Sequence, residues 1–405
     1  MIVRGAWVLP VTHNPIRAGG VLIRDGVIKA VGSGRDLERA YPDEEILFFE
    51  NEVIMPGFVN LHSHIEYSSL HKRCRRGSFT GWIQDMIRES RRMEDDDWVR
   101  SSGLGAREMV RSGVTCIGDI TKTDTSFDAI LDAGIRGVVF LEVIGFDDSV
   151  VEDIITGLIE RIRRFRDRGD GRVRIGVSPH APYTVSRRLF EAVGSVSSRM
   201  NLPVMTHLAE TEDEERFVRD GEGIFAGSFK DIAGWKGVEW RGVGLSPASY
   251  LDACGLLSER TVVAHAVHVS DEDILLLKRR GVSIAHCPRS NRYLGVGDAP
   301  VKKILDMGIN LGLGTDSLAS VDSIDIFQEM RSIDPRVPPP TRIRMATING
   351  AKALGMEDQT GSLEPGKCAD IIAVTTEKDD PYNVYLSSRD DIRIVIAGGS
   401  VLYED

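Results

Sequence analysis

VIMPGFVNLHSHIEYSSL, residues 53–70, is the stretch whose reading decides the fold. An apolar run passes through Pro56-Gly57 and ends in two histidines two positions apart, His62 and His64, with an acid, Glu66, two further on. Side chains alternate across a β-strand, so an extended chain would turn positions 62, 64 and 66 to one side. A strand buried on both faces reads as a continuous apolar run, and polar residues gathered at its C-terminal end are what a barrel active site requires. Two imidazoles on one face suggest a metal.

Seven more segments of the same kind follow. They are GVTCIGDI (113–120), IRGVVFLEVIG (135–145), VRIGVSPH (173–180), LPVMTHLAE (202–210), TVVAHAVHV (261–269), VSIAHCP (282–288) and INLGLGTDS (309–317). Amphipathic helical patterns such as DDDWVRSSGLGAREMVRSG and DEDILLLKRRG separate many of them. Strands alternating with helices predict a parallel sheet, and eight units predict an α/β fold of the (β/α)8 barrel type. The chain ends read as short strands joined by tight turns, VLIRDGVIKAVG at the start and IRIVIAGGSVLYED at the finish. The two ends are expected to pair into a small β-sandwich, residues 1–55 with 356–405, beside a barrel over 56–355. The connection from about 216 to 260 has the length of an insertion and is expected to cover the site.

Composition narrows the function. The 405 residues are 42% hydrophobic and 27% charged, with a net charge of −11. An acidic balance argues against a nucleic-acid partner, and the basic run KRCRR (72–76) reads as a solvated loop. No apolar run is long enough to span a bilayer, and the N-terminus has no signal-peptide pattern. Five cysteines without framework spacing fit a reducing cytoplasm.

An HxH pair alone is weak, but here it joins THLAE at the fifth strand, AHAVH at the sixth and GTDS at the eighth. Imidazoles and carboxylates are ligands that zinc accepts, and such a metal brings the pKa of bound water to ~7. A neighbouring carboxylate must then move protons. Asp119, His268, His286 and Cys287 read as buried or supporting residues, and Cys287 has no surroundings that would activate a thiol.

With these motifs in place, the sequence resembles the amidohydrolase superfamily in its deaminase and chlorohydrolase branch, from VLIRDGVIKAVG through PGFVNLHSH to GSLEPGKCADIIAV. The resemblance implies a barrel with a β-sandwich made from both ends. It implies that His62, His64, His207 and Asp316 bind one divalent metal, Zn2+ before Fe2+. Glu210 would shuttle protons, His265 would orient the attacking water and Asp316 would accept its proton. Relatives with two metals bridge them through a lysine at strand four; RIGVSPH has none, which implies a single metal. The resemblance also allows a homodimer.

Three local features, HIEYS, CPRSNRYL and GTDSLAS, resemble aminofutalosine deaminases, which remove the 6-amino group of aminodeoxyfutalosine in the alternative route to menaquinone. The small-molecule nucleoside expected on that basis carries a ribose and a benzoate. Glu66 would accept ribose hydroxyls, Arg289 or Arg292 would bind the carboxylate, and His180 and Ser317 would contact the substrate. The alternatives are deamination of S-adenosylhomocysteine, methylthioadenosine or adenosine. More distant are a guanine or cytosine deaminase, a triazine-type chlorohydrolase, and a scaffold without chemistry.

Overall fold

All eight apolar segments become parallel strands of one sheet. The computed structural model describes the whole chain except residues 167, 169, 234, 236 and 377–379. Five strands come first: β1 (Ile2–Val8), β2 (Ile16–Arg17), β3 (Gly19–Arg24), β4 (Val27–Ser33) and β5 (Ile46–Pro56). The barrel follows as β6 (Phe58–Ser63), β7 (Val114–Thr121), β8 (Arg136–Val143), β9 (Val173–Pro179), β10 (Val204–Leu208), β11 (Thr261–His265), β12 (Ser283–His286) and β13 (Leu311–Leu313). Each pairs in parallel with the next, in the order β6 to β13. Strands β6, β7 and β8 are buried along their whole length, including the polar residues that interrupt their apolar runs.

The first and last barrel strands are joined by side chains and peptides at their C-terminal ends. Asn60 Nδ2 donates to Thr315 Oγ1 at 2.7 Å, and its Oδ1 accepts the Thr315 amide at 3.1 Å. The His62 carbonyl accepts the amides of Thr315 and Asp316 at 3.1 and 3.0 Å. Gly314 is needed for this approach, because a Cβ there would lie 2.8 Å from that of His62. Closure therefore sets Asp316 beside His62 and His64.

The remaining strands, β14 (Ile371–Thr375), β15 (Ile392–Ala397) and β16 (Ser400–Glu404), join the first five in one mixed sheet of order β16-β15-β14-β5-β1-β3-β4, with β2 on β1. The two chain ends meet where β14 lies antiparallel to β5. Gly57 carries the chain from this sheet into β6, with Thr115 so close that a Cβ would meet its Oγ1 at 2.2 Å. A buried ion pair, Arg136 with Asp370, ties the barrel to the terminal sheet; Nη2 reaches Oδ1 at 3.1 Å.

The β10–β11 connection is the long insertion. It holds the helices Glu212–Asp220, Ser228–Ala233 and Pro247–Ala253. Tyr183, outside it, stacks on its Phe225 at 4.0 Å, and within it Phe217 stacks on Trp240 at 5.2 Å. Residues 234 and 236 of this insertion lie outside the described residues. All five cysteines are free, and no helix among the described residues is long and apolar enough to cross a membrane.

Candidate active site

The C-terminal ends of the strands enclose a cavity of about 490 Å3. His64, His180, His207, Glu210, His265, Asp316 and Ser317 line it, as the sequence predicts for residues of those segments. His62 lies beneath them, fully buried.

Each donor is turned by a neighbour. His207 presents Nδ1–H to the His180 carbonyl at 2.9 Å, which fixes the tautomer and leaves the Nε2 lone pair facing the cavity. His265 presents Nδ1 to Asn291 Oδ1 at 2.9 Å, so its Nε2 faces Glu210 Oε1 at 3.7 Å. Asp316 accepts Ser290 Oγ at 2.6 Å and Ser320 Oγ at 2.8 Å on Oδ2. Its Oδ1 is left 3.8 Å from Nε2 of both His62 and His64.

This set fits a divalent metal. Nε2 of His64 and of His207 lie 3.3 Å apart. Two nitrogens bound to zinc at about 2.0–2.1 Å and a tetrahedral angle are separated by about 3.3 Å. Nε2 of His62 is buried without a hydrogen-bond partner among the described residues, a polar atom that costs free energy unless something binds it. Burial, and then the neighbouring imidazoles, lowers the pKa of His62 and His207 well below the usual value, and that of His64 to about 3. All three are thus neutral and ready to coordinate near pH 7. The donor atoms form two overlapping triads, His62-His64-Asp316 and His62-His207-His265. Glu210 is buried, and burial pushes its carboxyl up to about 7, with His265 opposing and Asp316 adding to the shift. A carboxyl titrating there can both give and take a proton.

Three of the residues expected to contact the substrate lie away from this cavity. Glu66 does not line the cavity. β6 ends at Ser63 and a 3-10 helix, Ile65–Leu70, begins, so the two-residue alternation stops before Glu66. Its buried carboxylate accepts the amides of Lys122 (2.9 Å) and Thr123 (3.1 Å) and the hydroxyls of Thr121 (2.8 Å) and Thr123 (2.6 Å). Arg289 also faces away. It pairs with buried Glu329 at 3.4 Å and donates to the Ser323 carbonyl at 2.7 Å. Arg292 is half exposed, 3.3 Å from Asp298. Both belong to the helix Pro288–Leu294, whose inward face is Ser290 and Asn291. Residues next along a helix are rotated by about 100°, so the flanking arginines turn aside.

Other residues stand in their places. Glu142, at the end of β8, lines the cavity and is buried. Burial, then the Glu66 charge, pushes its carboxyl up to about 8 against the pull of Lys122 and Arg161. Lys122, Thr123 and Arg91 line the same cavity, with Trp82, Trp98, Trp235, Met86 and Phe229 as apolar wall. The acid inside the apolar run VVFLEV was the available signal for Glu142.

The sequence matches the Amidohydrolase family over residues 53–402. It is 30% identical over 423 residues to the 5-methylthioadenosine/S-adenosylhomocysteine deaminase of Moorella thermoacetica, covering 99% of this chain and 94% of that one. A zinc-containing adenosine deaminase from Xanthomonas campestris superposes with a TM-score of 0.84 at 26% identity, over 99% of this chain and 92% of that one. The fold is also that of Helicobacter pylori aminofutalosine deaminase in complex with methylthio-coformycin, with a TM-score of 0.87 at 23% identity over 99% of both chains. The chain belongs to the amidohydrolase family and is a hydrolase acting on carbon–nitrogen bonds.

Proposed function

We propose that the protein deaminates the adenine ring of a 5′-substituted nucleoside, water replacing the 6-amino group and ammonia leaving. The observation that carries this reading is the convergence of His62, His64, His207 and Asp316 beside the buried Glu210, whose carboxyl burial pushes up to about 7, in one cavity. Metal-ligand roles fall to His62, His64, His207 and Asp316. A divalent cation held by these residues, zinc by the chemistry of the donor set, would supply the Lewis acidity that makes water nucleophilic near neutral pH. Asp316 Oδ1 takes a proton from the attacking water while its Oδ2 is held by Ser290 and Ser320. Glu210 gives its proton to the ring nitrogen beside the attacked carbon. As the carbon–nitrogen bond breaks, the proton held by Asp316 goes to the leaving amine and Glu210 takes the proton of the new hydroxyl, so both acids return to their starting states. His265, fixed by Asn291, orients the water. His180 and Ser317 face the ligand from the cavity wall.

The outer cavity supports the choice of nucleoside. Glu142 can accept sugar hydroxyls, the place once expected of Glu66. Three tryptophans offer apolar surface to a 5′-substituent, and Lys122 lines the same cavity and can meet an acidic end. This suits aminodeoxyfutalosine, whose aromatic substituent ends in a carboxylate, and the HIEYS, CPRSNRYL and GTDSLAS motifs favour it. A thioether substituent suits the same wall, and the Moorella thermoacetica relative's name fits that reading at least as well. The test is ammonia release by the metal-loaded protein from adenosine, methylthioadenosine, S-adenosylhomocysteine and aminodeoxyfutalosine. A kcat/KM for adenosine equal to those of the substituted nucleosides removes the 5′-substituent from the proposal, and no release from any removes deamination.

A further inference from the structure

The proton carrier sits on a strained turn with a built support. β10 ends at Leu208, and the next residue, Ala209, is left-handed with φ 49°. Such a conformation is unfavourable for a residue with a Cβ and persists only where its surroundings hold it. Here the surroundings are specific. The Ala209 carbonyl accepts the amides of Val267 (3.0 Å) and His268 (2.8 Å). The amides of Ala209 and Glu210 donate to two different oxygens of Glu214, Oε1 at 2.7 Å and Oε2 at 3.1 Å.

Glu214 is fully buried, and no cation pairs with it among the described residues. Its position in the chain looks like ordinary helix capping. Thr211 is the N-cap of the helix Glu212–Asp220 and accepts the Glu214 amide on Oγ1 at 3.1 Å. In a capping box, the acid at the third helical position reaches back to the amide of the cap residue itself. Glu214 instead takes the two amides before Thr211, those of Ala209 and of Glu210. Both peptides flanking the left-handed residue are thereby pinned, and the second carries the Glu210 side chain.

We infer that Glu214 is a positioning residue, whose carboxyl group holds the Ala209–Glu210 turn so that Glu210 points at the reacting atoms. The inference rests on the reading of Glu210 as proton carrier. Two separate acceptor oxygens are the essential feature. A glutamine side chain offers only one, and its NH2 would face the other amide.

The experiment uses the full-length, metal-loaded protein with Glu214→Gln, and with Glu214→Asp in case the first variant does not fold. The shorter acid cannot reach both amides. A misplacement of about 1 Å costs on the order of 10²-fold in rate. Glu214→Gln is therefore expected to lower kcat by about 10²-fold with KM and bound metal unchanged. Hydrogen exchange at the Ala209 and Glu210 amides should accelerate while the other barrel strands keep their protection. Glu210→Gln should do the opposite, losing turnover while those two amides stay slow. A Glu214→Gln protein with kcat within about twofold of wild type overturns the inference. Loss of metal together with exchange raised throughout the barrel also overturns it, since Glu214 would then serve folding generally. If wild type releases no ammonia from any nucleoside, the deaminase reading fails. Exchange at the two amides still decides whether Glu214 holds the turn.

Discussion

Replacing Glu66 with alanine separates two roles for the acid that follows the paired histidines. In the structure, its carboxylate is the shared acceptor for two amides and two hydroxyls of residues Thr121, Lys122 and Thr123. The hydroxyls have some recourse, since Thr123 Oγ1 also lies 2.9 Å from Thr125 Oγ1. The two amides have no other acceptor among the described residues. They are only part-buried, so the cost of about 1–3 kcal/mol for a buried donor left without an acceptor is an upper range for each. The bracket is thus about 2–6 kcal/mol, and water entering from the cavity beside Thr123 places the outcome near its lower half, about 3 kcal/mol. An unfolding entropy of about 2.1 cal/mol/K per residue over 405 residues amounts to about 0.85 kcal/mol/K, so the melting midpoint should fall by only about 3–4 °C.

The sharper readout is local. Amide exchange at Lys122 and Thr123 should accelerate in Glu66→Ala, because the loop between β7 and the helix Thr125–Asp132 loses its anchor. Bound metal should stay at the wild-type level. KM should rise only as far as loosening of Lys122 and Thr123 on the cavity wall allows. The opposite pattern refutes this reasoning: an unchanged midpoint and unchanged exchange, with KM for the nucleoside raised tenfold or more, would mean that the carboxylate touches the ligand.

Glu210→Gln should retain metal, measured by elemental analysis, and lose at least about 10²-fold in kcat. In the wild type, kcat/KM should fall as pH rises through about 7, because the proton-donating form of Glu210 is lost there; a rate rising across that range would assign the residue as base only. Asn291→Ala and Ser290→Ala, which release His265 and Asp316, should each cost about 10–100-fold in activity or metal affinity, whereas substitutions at sites that merely pack would move only the melting midpoint. Arg289→Ala removes its bonds to Glu329 and to the Ser323 carbonyl. Burial already pushes the Glu329 carboxyl up to about 8 against the pull of Arg289, so the acid can stay protonated, and the loss should be about 1–3 kcal/mol with KM unchanged. Arg292→Ala, half exposed, should change stability by no more than about 0.5 kcal/mol, and a large KM effect from either arginine would restore it to the site.

The barrel was legible because strands buried on both faces have little freedom of composition. Eight apolar runs with polar ends announce themselves, and His62, His64, His207, Glu210, His265 and Asp316 fall at those ends. Legibility stopped where the backbone left the strand. Glu66 sits two residues past His64, but a 3-10 turn intervenes and the alternation argument no longer applies. CPRSNRYL borders the site, but helix geometry turns Ser290 and Asn291 inward and the arginines aside. The eye goes to charge, whereas small neutral side chains set the tautomer of His265 and the free oxygen of Asp316. Tertiary proximity between distant segments, such as His180 and His207, leaves no local mark on a sequence.

The same departure from regular strands explains how the site can exist. Ala209, His265, Ala266 and Asp316 all have left-handed backbones, with φ between 48° and 71°, at or just past the ends of β10, β11 and the last barrel strand. Each such residue costs of order 1–3 kcal/mol, so four in one place must be held by their surroundings. Those after β10 and β11 are linked, Ala266 donating to the Leu208 carbonyl at 3.1 Å and Val267 and His268 to that of Ala209, while Asp316 is held separately by donating to the His62 carbonyl. Turns in neighbouring strands thus support one another across the barrel mouth. Regular alternation would send side chains at successive positions to opposite faces. The left-handed turns let the chain bring Glu210, His265 and Asp316 to one cavity, and the cross-strand amides hold them there before any ligand arrives. Loosening one turn should therefore disturb its neighbours, and double variants at Glu214 and Asn291 should lose less than the sum of the single losses in log kcat, as expected for residues acting as a unit.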